Sequence, residues 1–212
     1  KGKREGWQKD FFRIAAQADL ILIQEALLHD EFYQQLSHRL RWQVSEGYRR
    51  FNRRTGVLTA ATAHSQRIQR LQQQEPLLRS LKSALITEYA LQDCAHTLLV
   101  ANIHAINFTW GLKHFQQQLE AVFAILAEHE GPVLLAGDFN VWRGQRMQLL
   151  QALARSVALL EMDFEEDHRT AVFNYPLDHV FYKGLIKQQS AVHPVRSSDH
   201  NPLTASFLVP KA

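Results

Sequence analysis

Carboxylate, amide and imidazole side chains stand next to apolar runs of this sequence, at the points where such runs end or begin. Buried strands that carry polar groups at their ends can bring these groups together on one face, which is the usual place for a site in an α/β protein. The residues concerned are Glu25, His104, Asp138, Asn140, Asp199 and His200.

These side chains suit the hydrolysis of a phosphoester. Glu25, Asp138, Asn140 and Asp199 offer oxygen atoms and no thiolate, which hard divalent cations such as Mg²⁺ or Mn²⁺ prefer. Such a cation polarises a phosphoryl oxygen, while a carboxylate or imidazole orients or deprotonates water. The pattern therefore predicts a metal-dependent phosphoesterase, and no motif for an organic cofactor accompanies it.

Asp178 is a candidate partner for His200. A carboxylate that accepts a hydrogen bond from an imidazole fixes its tautomer and raises its pKa. His200 would then carry positive charge beside a phosphate. The neighbouring His179 is predicted to point to the opposite face of the strand.

Each motif has a plain structural interpretation when it is taken alone. Asp138 and Asn140 after a glycine are typical of a turn, and Glu25 after an apolar run is often a loop carboxylate. Asp199 and His200 are compatible with the start of a strand, and His104 with a core histidine. The chemical interpretation depends on all of these motifs occurring in one chain.

The composition is that of an ordinary globular domain. The chain has 212 residues, of which 46% are hydrophobic and 21% charged, and this length favours a single domain over residues 1–212. The longest apolar runs are far shorter than the roughly 20 residues of a membrane helix. One cysteine, Cys94, excludes an internal disulfide and is compatible with the reducing cytoplasm, where we expect the protein to act.

Basic residues are concentrated in one stretch, although the formal net charge is only +3. Such a cluster either holds phosphates of a nucleic acid or is a solvated loop. The cluster comprises Arg49, Arg50, Arg53 and Arg54, and further Lys or Arg residues follow at 67, 70, 79 and 82.

Apolar periodicity predicts alternating helices and strands. Helices are expected over 7–18, 31–40, 112–128 and 145–156, and strands over 20–24, 56–62, 83–91, 97–104, 133–136, 178–182, 185–190 and 203–209. Asp93 is expected in a hairpin turn between two of these strands, and the glutamine-rich stretch 66–74 in a helix or loop edge. This order predicts a four-layer α/β sandwich, in which two packed mixed or antiparallel sheets are flanked by helices.

Five motifs, taken in their order along the chain, favour the chemical interpretation over the plain structural one. They are Gln24-Glu25, Asn102-Ile103-His104, Gly137-Asp138-Phe139-Asn140, Leu177-Asp178-His179-Val180 and Ser198-Asp199-His200-Asn201. The series closely resembles the endonuclease/exonuclease/phosphatase superfamily, which has a deoxyribonuclease-I-like fold, over nearly the whole chain. Residues 104–108 and 177–185 resemble most closely its bacterial YafD-like group.

The resemblance implies a role for each motif. Glu25 and Asp199 would bind the metal, Asp138 and Asn140 would belong to the metal site and position water and phosphate, and His104 and the His200–Asp178 pair would contact the scissile phosphate. Lys82 and Asn107 would face the phosphate as well. Glu75 matches a residue that supports the histidine corresponding to His104 in some relatives.

One departure from the family concerns its first strand, which ends in Trp-Asn or a similar pair. The chain begins beyond the place of that strand, so we expect an N-terminally truncated domain with an unpaired strand edge. The favoured substrate is DNA or RNA. A phospholipid, sphingomyelin or inositol-phosphate phosphoesterase and a non-catalytic binding module remain as alternatives.

Overall fold

The computed structural model describes residues 5–28, 39–50, 53–92 and 94–210. The predicted helix over 31–40 falls almost entirely outside these ranges, and so does Asp93. The described helices are α1 (Trp7–Ala15), α2 (Lys113–Ala127) and α3 (Gly144–Ser156). None of the helices in these ranges is both long enough and apolar enough to cross a bilayer.

Thirteen strands are described, and most belong to two packed sheets. They are β1 (Leu20–Leu27), β2 (Arg41–Arg50), β3 (Arg53–Ala61), β4 (Ser65–Gln74), β5 (Leu81–Ala90), β6 (Thr97–His104), β7 (Val133–Asp138), β8 (Leu160–Glu161), β9 (Ala171–Val172), β10 (Tyr175–Pro176), β11 (Asp178–Lys183), β12 (Ile186–Val192) and β13 (Leu203–Leu208).

The large sheet has the order β4-β5-β6-β7-β11-β8, and its only parallel pair is β6 with β7. The small sheet has the order β1-β3-β2, while β12 and β13 pair with each other. Leu134 of β7 packs in the same cluster as Leu20 and Leu22 of β1, and also in the cluster that contains Leu203 of β13. The small sheet and the β12–β13 pair therefore cover the same face of the large sheet.

The helices form the outer layers. Phe115 and Leu119 of α2 and Leu150 of α3 pack with apolar residues of the large sheet in the main core. Trp7 and Phe11 of α1 cover the small sheet. The resulting order of helix, sheet, sheet and helices confirms the predicted four-layer α/β sandwich.

The stretch 66–74 is a strand, so its assignment to a helix or loop edge was wrong. β4 is the edge strand of the large sheet and alternates exposed glutamine and arginine residues with partly buried ones, among them Ile68 and Leu71. Because an edge strand buries only part of its surface, its composition lacks the apolar signal of β5 and β6. The basic stretch 49–54 likewise contains the end of β2 and the start of β3, and not simply a solvated loop.

Among the described strands, β1 pairs with β3 alone and β13 with β12 alone. Each of these two strands therefore has one edge without a partner in the described part of the chain. The predicted absence of a first strand stays a prediction.

Candidate active site

Three neighbouring strands of the large sheet place polar side chains at one level. His104 lies opposite Asp138 in the parallel pairing of β6 with β7, and Asp138 lies opposite Asp178 in the antiparallel pairing of β7 with β11. These three residues are only 8–9% exposed. The strand ends that the sequence pointed to therefore form one buried row, which we call the polar row.

Gly137 allows the two parallel strands to approach each other closely enough for this row. A Cβ atom at position 137 would lie 1.9 Å from the backbone carbonyl oxygen of Ile103, and the residue has a φ of +157°. No real Cβ atom fits at such a distance. A side chain here would push β7 away from β6, and with it Asp138 from His104.

Asp138 is the most strongly perturbed carboxyl group of the row. Burial and the neighbouring carboxylate of Asp178 raise its pKa to about 7, although His200, Lys82 and a backbone hydrogen bond act in the opposite direction. Two buried carboxylates side by side leave an excess of negative charge. A cation or a protonated partner at this position offsets that charge.

The turn after Asp138 fixes the orientation of Asn140. The backbone N–H of Asn140 donates to Oδ1 of Asp138 at 3.0 Å, and Asn140 has a positive φ of 51°. Its side-chain Nδ2 donates to the carbonyl oxygen of Ala105 at 3.0 Å. Because the amide nitrogen is used inside the protein, the amide oxygen is turned away from that contact and is the end that can bind a ligand.

His104 is surrounded by three charged side chains. Its Nε2 lies 2.7 Å from Nζ of Lys82, 3.5 Å from Oδ2 of Asp138 and 3.8 Å from Oε1 of Glu25. A lysine ammonium donates hydrogen bonds and cannot accept them, so Nε2 of His104 is the acceptor and the proton of the neutral ring belongs on Nδ1. The structure thus brings together four residues that the sequence analysis had selected.

Glu25 reaches this group because β1 is irregular at that point. The pairing of β1 with β3 shifts between Ile23 and Ala26, and Glu25 has a positive φ of 51°. Nε2 of Gln24 donates to Oδ1 of Asn102 at 2.7 Å, which ties the end of β1 to the large sheet. A bulge of this kind redirects a side chain, here the carboxylate of Glu25 toward His104.

His200 and Asp178 form the predicted pair. Nδ1 of His200 donates to Oδ2 of Asp178 at 2.6 Å. Burial alone would lower the pKa of His200, but the hydrogen bond to Asp178 and the charges of Asp178, Asp138 and Asp199 raise it to about 9. His200 is therefore an imidazolium at neutral pH, with Nε2–H as its remaining donor.

Glu75 lies beneath the loop that follows His104. Its Oε1 accepts hydrogen bonds of 2.8 Å from the backbone N–H groups of Asn107 and Phe108, and its Oε2 accepts one from Ser80 at 2.7 Å. The carboxylate thus holds the backbone after His104, and the support of the imidazole itself stays a prediction. This carboxylate holds the backbone of Asn107, and a contact of the Asn107 side chain with a phosphate stays a prediction.

Two further buried residues hold the same loop, and the sequence analysis missed both. Gln118 of α2 accepts from the N–H of Ile106 at 2.7 Å and donates to the carbonyl of His104 at 3.2 Å. Arg146 of α3 is fully buried and donates to the backbone carbonyls of Ile106, Asn107 and Asn140. No sequence signal distinguishes these residues from solvent-facing polar residues on amphipathic helices.

A second set of polar residues supports Asp178 from behind. Nη1 of Arg169 donates to the backbone carbonyl of Asp178 at 3.0 Å, and its guanidinium binds Asp167. His179 is fully buried on the opposite face of β11, where Nδ1 lies 2.7 Å from Glu161. The prediction that His179 points away from Asp178 is confirmed.

The donor chemistry of the site suits a hard divalent cation. Among the residues that the structure describes, no three His, Cys, Asp or Glu side chains converge as a ready-made metal-binding group. Mg²⁺, however, is commonly held by one or two carboxylates together with water and substrate oxygens. Glu25 and Asp138 supply two carboxylates within 4 Å of the same imidazole nitrogen, and burial of Asp138 beside Asp178 favours a cation there.

The fold is shared with solved structures of low sequence identity. An endonuclease/exonuclease/phosphatase protein from Bacteroides vulgatus has a TM-score of 0.76 at 12% identity, over 96% of this chain and 89% of that one. The mannosyl-6-phosphatase Bt3783 of Bacteroides thetaiotaomicron has a TM-score of 0.69 at 15% identity, over 98% and 91%. The chain is therefore a deoxyribonuclease-I-like α/β sandwich.

Sequence comparison gives the family. Residues 2–200 match the Endonuclease/Exonuclease/phosphatase family, and a UPF0294 protein of Vibrio vulnificus strain YJ016 is 40% identical over 99% of this chain and 74% of its own length. The chain belongs to this family and to its bacterial YafD-like group, as the motifs predicted. Members of the family are in general hydrolases of phosphoester bonds that use divalent metals.

Proposed function

We propose that the protein is a divalent-metal-dependent phosphodiesterase that acts on nucleic acid. The observation that carries this proposal is the polar row of His104, Asp138 and Asp178, with His200 bonded to Asp178. The row brings carboxylates that could bind a cation and imidazole groups that could contact a phosphate next to one another. Such a combination serves the hydrolysis of phosphoesters.

Glu25 and Asp138 would hold Mg²⁺ or Mn²⁺, with Asn140 and Asp199 as further oxygen donors. When bound, the cation supplies Lewis-acid polarisation of the phosphoryl group and lowers the pKa of bound water. Asp138 and Asn140 orient the attacking water, because the turn that joins them is fixed by two hydrogen bonds. Lys82 and His104 lie on the Glu25 side of Asp138, where they contact the phosphate oxygens.

His200 acts from the other side of Asp138. With Nδ1–H held by Asp178, the imidazole has one orientation and presents Nε2–H as a donor to a phosphate oxygen or to the leaving group. Arg169 holds the backbone of Asp178 and keeps this pair in place. The catalytic groups thus flank the position of the phosphorus on both sides.

The position of the basic cluster supports a polyanionic substrate. Leu27 at the end of β1 pairs with Thr55 of β3. The end of β2 and the start of β3 therefore lie at the same end of the sandwich as Glu25. The backbone there carries Arg49, Arg50, Arg53 and Arg54 in two antiparallel pairs. Arginine side chains neutralise the phosphates of a nucleic acid backbone.

The test is a panel of phosphoesters with the purified protein and Mg²⁺ or Mn²⁺. The substrates are DNA and RNA oligonucleotides, bis-p-nitrophenyl phosphate, p-nitrophenyl phosphate, sphingomyelin and an inositol phosphate. We expect hydrolysis of the diesters and the nucleic acids that EDTA abolishes. The proposal fails if no metal-dependent hydrolysis of a phosphodiester occurs, or if only a monoester is cleaved.

Asp138→Asn provides the residue-specific arm of this test. Loss of the central carboxylate is expected to reduce turnover by roughly 100-fold or more. Asp163→Asn is the matched control, because Asp163 is an exposed carboxylate paired with Lys187 and lies outside the site. Calorimetric titration with Mg²⁺ separates an enzyme from a non-catalytic module, since the module need not bind the ion at this site.

A further inference from the structure

Large apolar side chains are exposed at the end of the sandwich where the polar row lies. Trp110 is 84% exposed, Phe173 is 78% exposed and Phe108 is 51% exposed. Phe108 and Trp110 follow His104 in the chain, and Phe173 lies between β9 and β10, shortly before Asp178. We call these three residues the aromatic rim.

Side-chain contacts join the loops of the aromatic rim into one surface. Nη2 of Arg143 donates to the carbonyl of Gly111 at 2.8 Å, and a Cβ atom on Gly144 would lie 3.0 Å from the hydroxyl of Tyr175. The loop after β7 is therefore in contact with the loop after β6 and with the β9–β10 hairpin. Thr170, at the base of this hairpin, donates to the carbonyl of Asp199 at 2.9 Å, which connects the rim to the site.

The backbone of β2 brings a basic stretch of sequence to the end of the sandwich where the polar row lies. A Cβ atom on Gly47 of β2 would lie 3.2 Å from the carbonyl of Leu81, so β2 packs beside the start of β5, next to Lys82. Beyond Gly47, β2 continues into Arg49 and Arg50. The polar row therefore shares this end of the sandwich with an arginine-rich backbone segment and the aromatic rim.

We propose that the substrate is single-stranded nucleic acid whose unpaired bases stack on Trp110, Phe108 and Phe173. The sugar-phosphate backbone then runs across the polar row toward the end of β2 and the start of β3. This inference rests on the proposed phosphodiesterase function and specifies its substrate class. Exposed aromatic faces beside a basic track are the features by which proteins bind single strands. The bases of a duplex are stacked on each other and cannot cover these side chains.

Two exposed carboxylates that precede the β9–β10 hairpin in the sequence favour bases over an anionic membrane surface. Glu165 and Glu166 are exposed a few residues before the β9–β10 hairpin. These carboxylates repel an anionic bilayer, whereas an uncharged base tolerates them. The phosphates of the bound strand would lie on the other side of the site, beside the arginine residues.

The test is fluorescence anisotropy with a labelled 12-nucleotide strand and the matching duplex, in EDTA so that no cleavage occurs. Trp110→Ala combined with Phe173→Ala is expected to weaken binding of the single strand by roughly thirtyfold or more, because two stacking faces are removed. The variant Trp110→Phe with Phe173→Tyr retains the stacking faces and should bind nearly as the unchanged protein does.

Leu160→Ala combined with Leu208→Ala is the matched control. Both leucines are more than half exposed and lie at the opposite end of the sandwich, so single-strand binding should not change. The inference is overturned if the variant with Trp110→Ala and Phe173→Ala binds the single strand as tightly as the unchanged protein does. It is also overturned if this variant loses affinity for the single strand and for the duplex by the same factor. Co-sedimentation of the unchanged protein with phosphatidylglycerol vesicles that is lost in this variant also overturns it, in favour of a lipid surface.

Failure of the two proposals can be told apart. Hydrolysis of bis-p-nitrophenyl phosphate by the unchanged protein tests the phosphodiesterase function without any nucleic acid. Rim-dependent binding of the single strand in EDTA tests the substrate class without any catalysis. If the protein hydrolyses the small diester but binds strand and duplex with equal affinity, the phosphodiesterase proposal stands and the single-strand proposal is overturned.

Discussion

Nδ1 of His200 donates a hydrogen bond of 2.6 Å to Oδ2 of Asp178, and the backbone carbonyl of Asp178 accepts another from Arg169. Asp178 is thus fixed by its side chain and its backbone at once. The charge state of His200 depends on this pair, because burial alone would lower the pKa of the imidazole.

Asp178→Asn is expected to lower the pKa of His200 from about 9 toward its ordinary value of 6.5. NMR titration of the histidine ring measures this directly. Asp163→Asn is the control and should leave the titration of His200 unchanged. A pKa near 9 in the Asp178 variant would contradict the role assigned to the pair.

The His200–Asp178 pair also stabilises the folded protein, and this stabilisation decreases as the pH rises. Because the pKa of His200 is raised in the folded protein, the contribution of the His200–Asp178 pair to folding stability is fully present below pH 6.5. This contribution is lost as the pH rises through about 9. The difference in unfolding free energy between the unchanged protein and Asp178→Asn should therefore shrink over this range. The pH-dependent part is about 1 kcal/mol, since a third of the His200 side chain is exposed and solvent screens the interaction.

Glu25→Gln is expected to raise the Mg²⁺ concentration needed for half-maximal hydrolysis by about tenfold or more, because one of two carboxylates near His104 is lost. The measurement is the rate of diester hydrolysis as Mg²⁺ is varied. Glu46→Gln serves as the control, since Glu46 is an exposed carboxylate paired with Arg54. An unchanged metal requirement in the Glu25 variant would remove Glu25 from the metal site.

Arg146→Met should destabilise the fold by about 3 kcal/mol or more, because it leaves three backbone carbonyls without their donor in a buried place. Denaturant unfolding measures the loss. Arg155→Met is the matched control on the same helix, where the side chain is exposed. A loss of less than 1 kcal/mol, relative to the roughly 3 expected from the unsatisfied groups, would show that water replaces the guanidinium.

Glu161→Gln is expected to cost about 1–3 kcal/mol at neutral pH, through the hydrogen bond with the buried His179. Burial raises the pKa of Glu161, but the bond from His179 prevails and lowers it below 4.5. The contribution is therefore present above pH 4.5 and is lost as the pH falls through the lowered value. Glu166→Gln, at an exposed site, should show no such dependence on pH.

The convergence of the candidate site residues could be predicted from the sequence because strand ends carry a local signal. His104, Asp138 and Asp178 each adjoin an apolar strand, and the register of three adjacent strands then aligns them. The partner of His200 was predictable as well, since it belongs to the same set of motifs. The polar row thus depends on features that can be seen in short stretches of sequence.

The groups that hold the row could not be predicted in the same way. Gln118 and Arg146 are polar residues on amphipathic helices, and nothing near them in the sequence shows that they are buried. Their partners are backbone atoms of a loop that is distant in the sequence. The strand β4 was missed for a related reason, because this edge strand buries only part of its surface and its composition lacks an apolar signal.

Gly137 restricts which substitutions the polar row tolerates, and it places no such restriction on the aromatic rim. The contact between Gly137 and the carbonyl of Ile103 leaves no room for even a methyl group, so β6 and β7 can be transplanted only as an intact unit. The side chains of Trp110 and Phe173 are exposed to solvent and can be replaced without touching that contact. The proposed reaction centre therefore tolerates no side chain at position 137, whereas the side chains of the proposed recognition surface can be replaced one at a time.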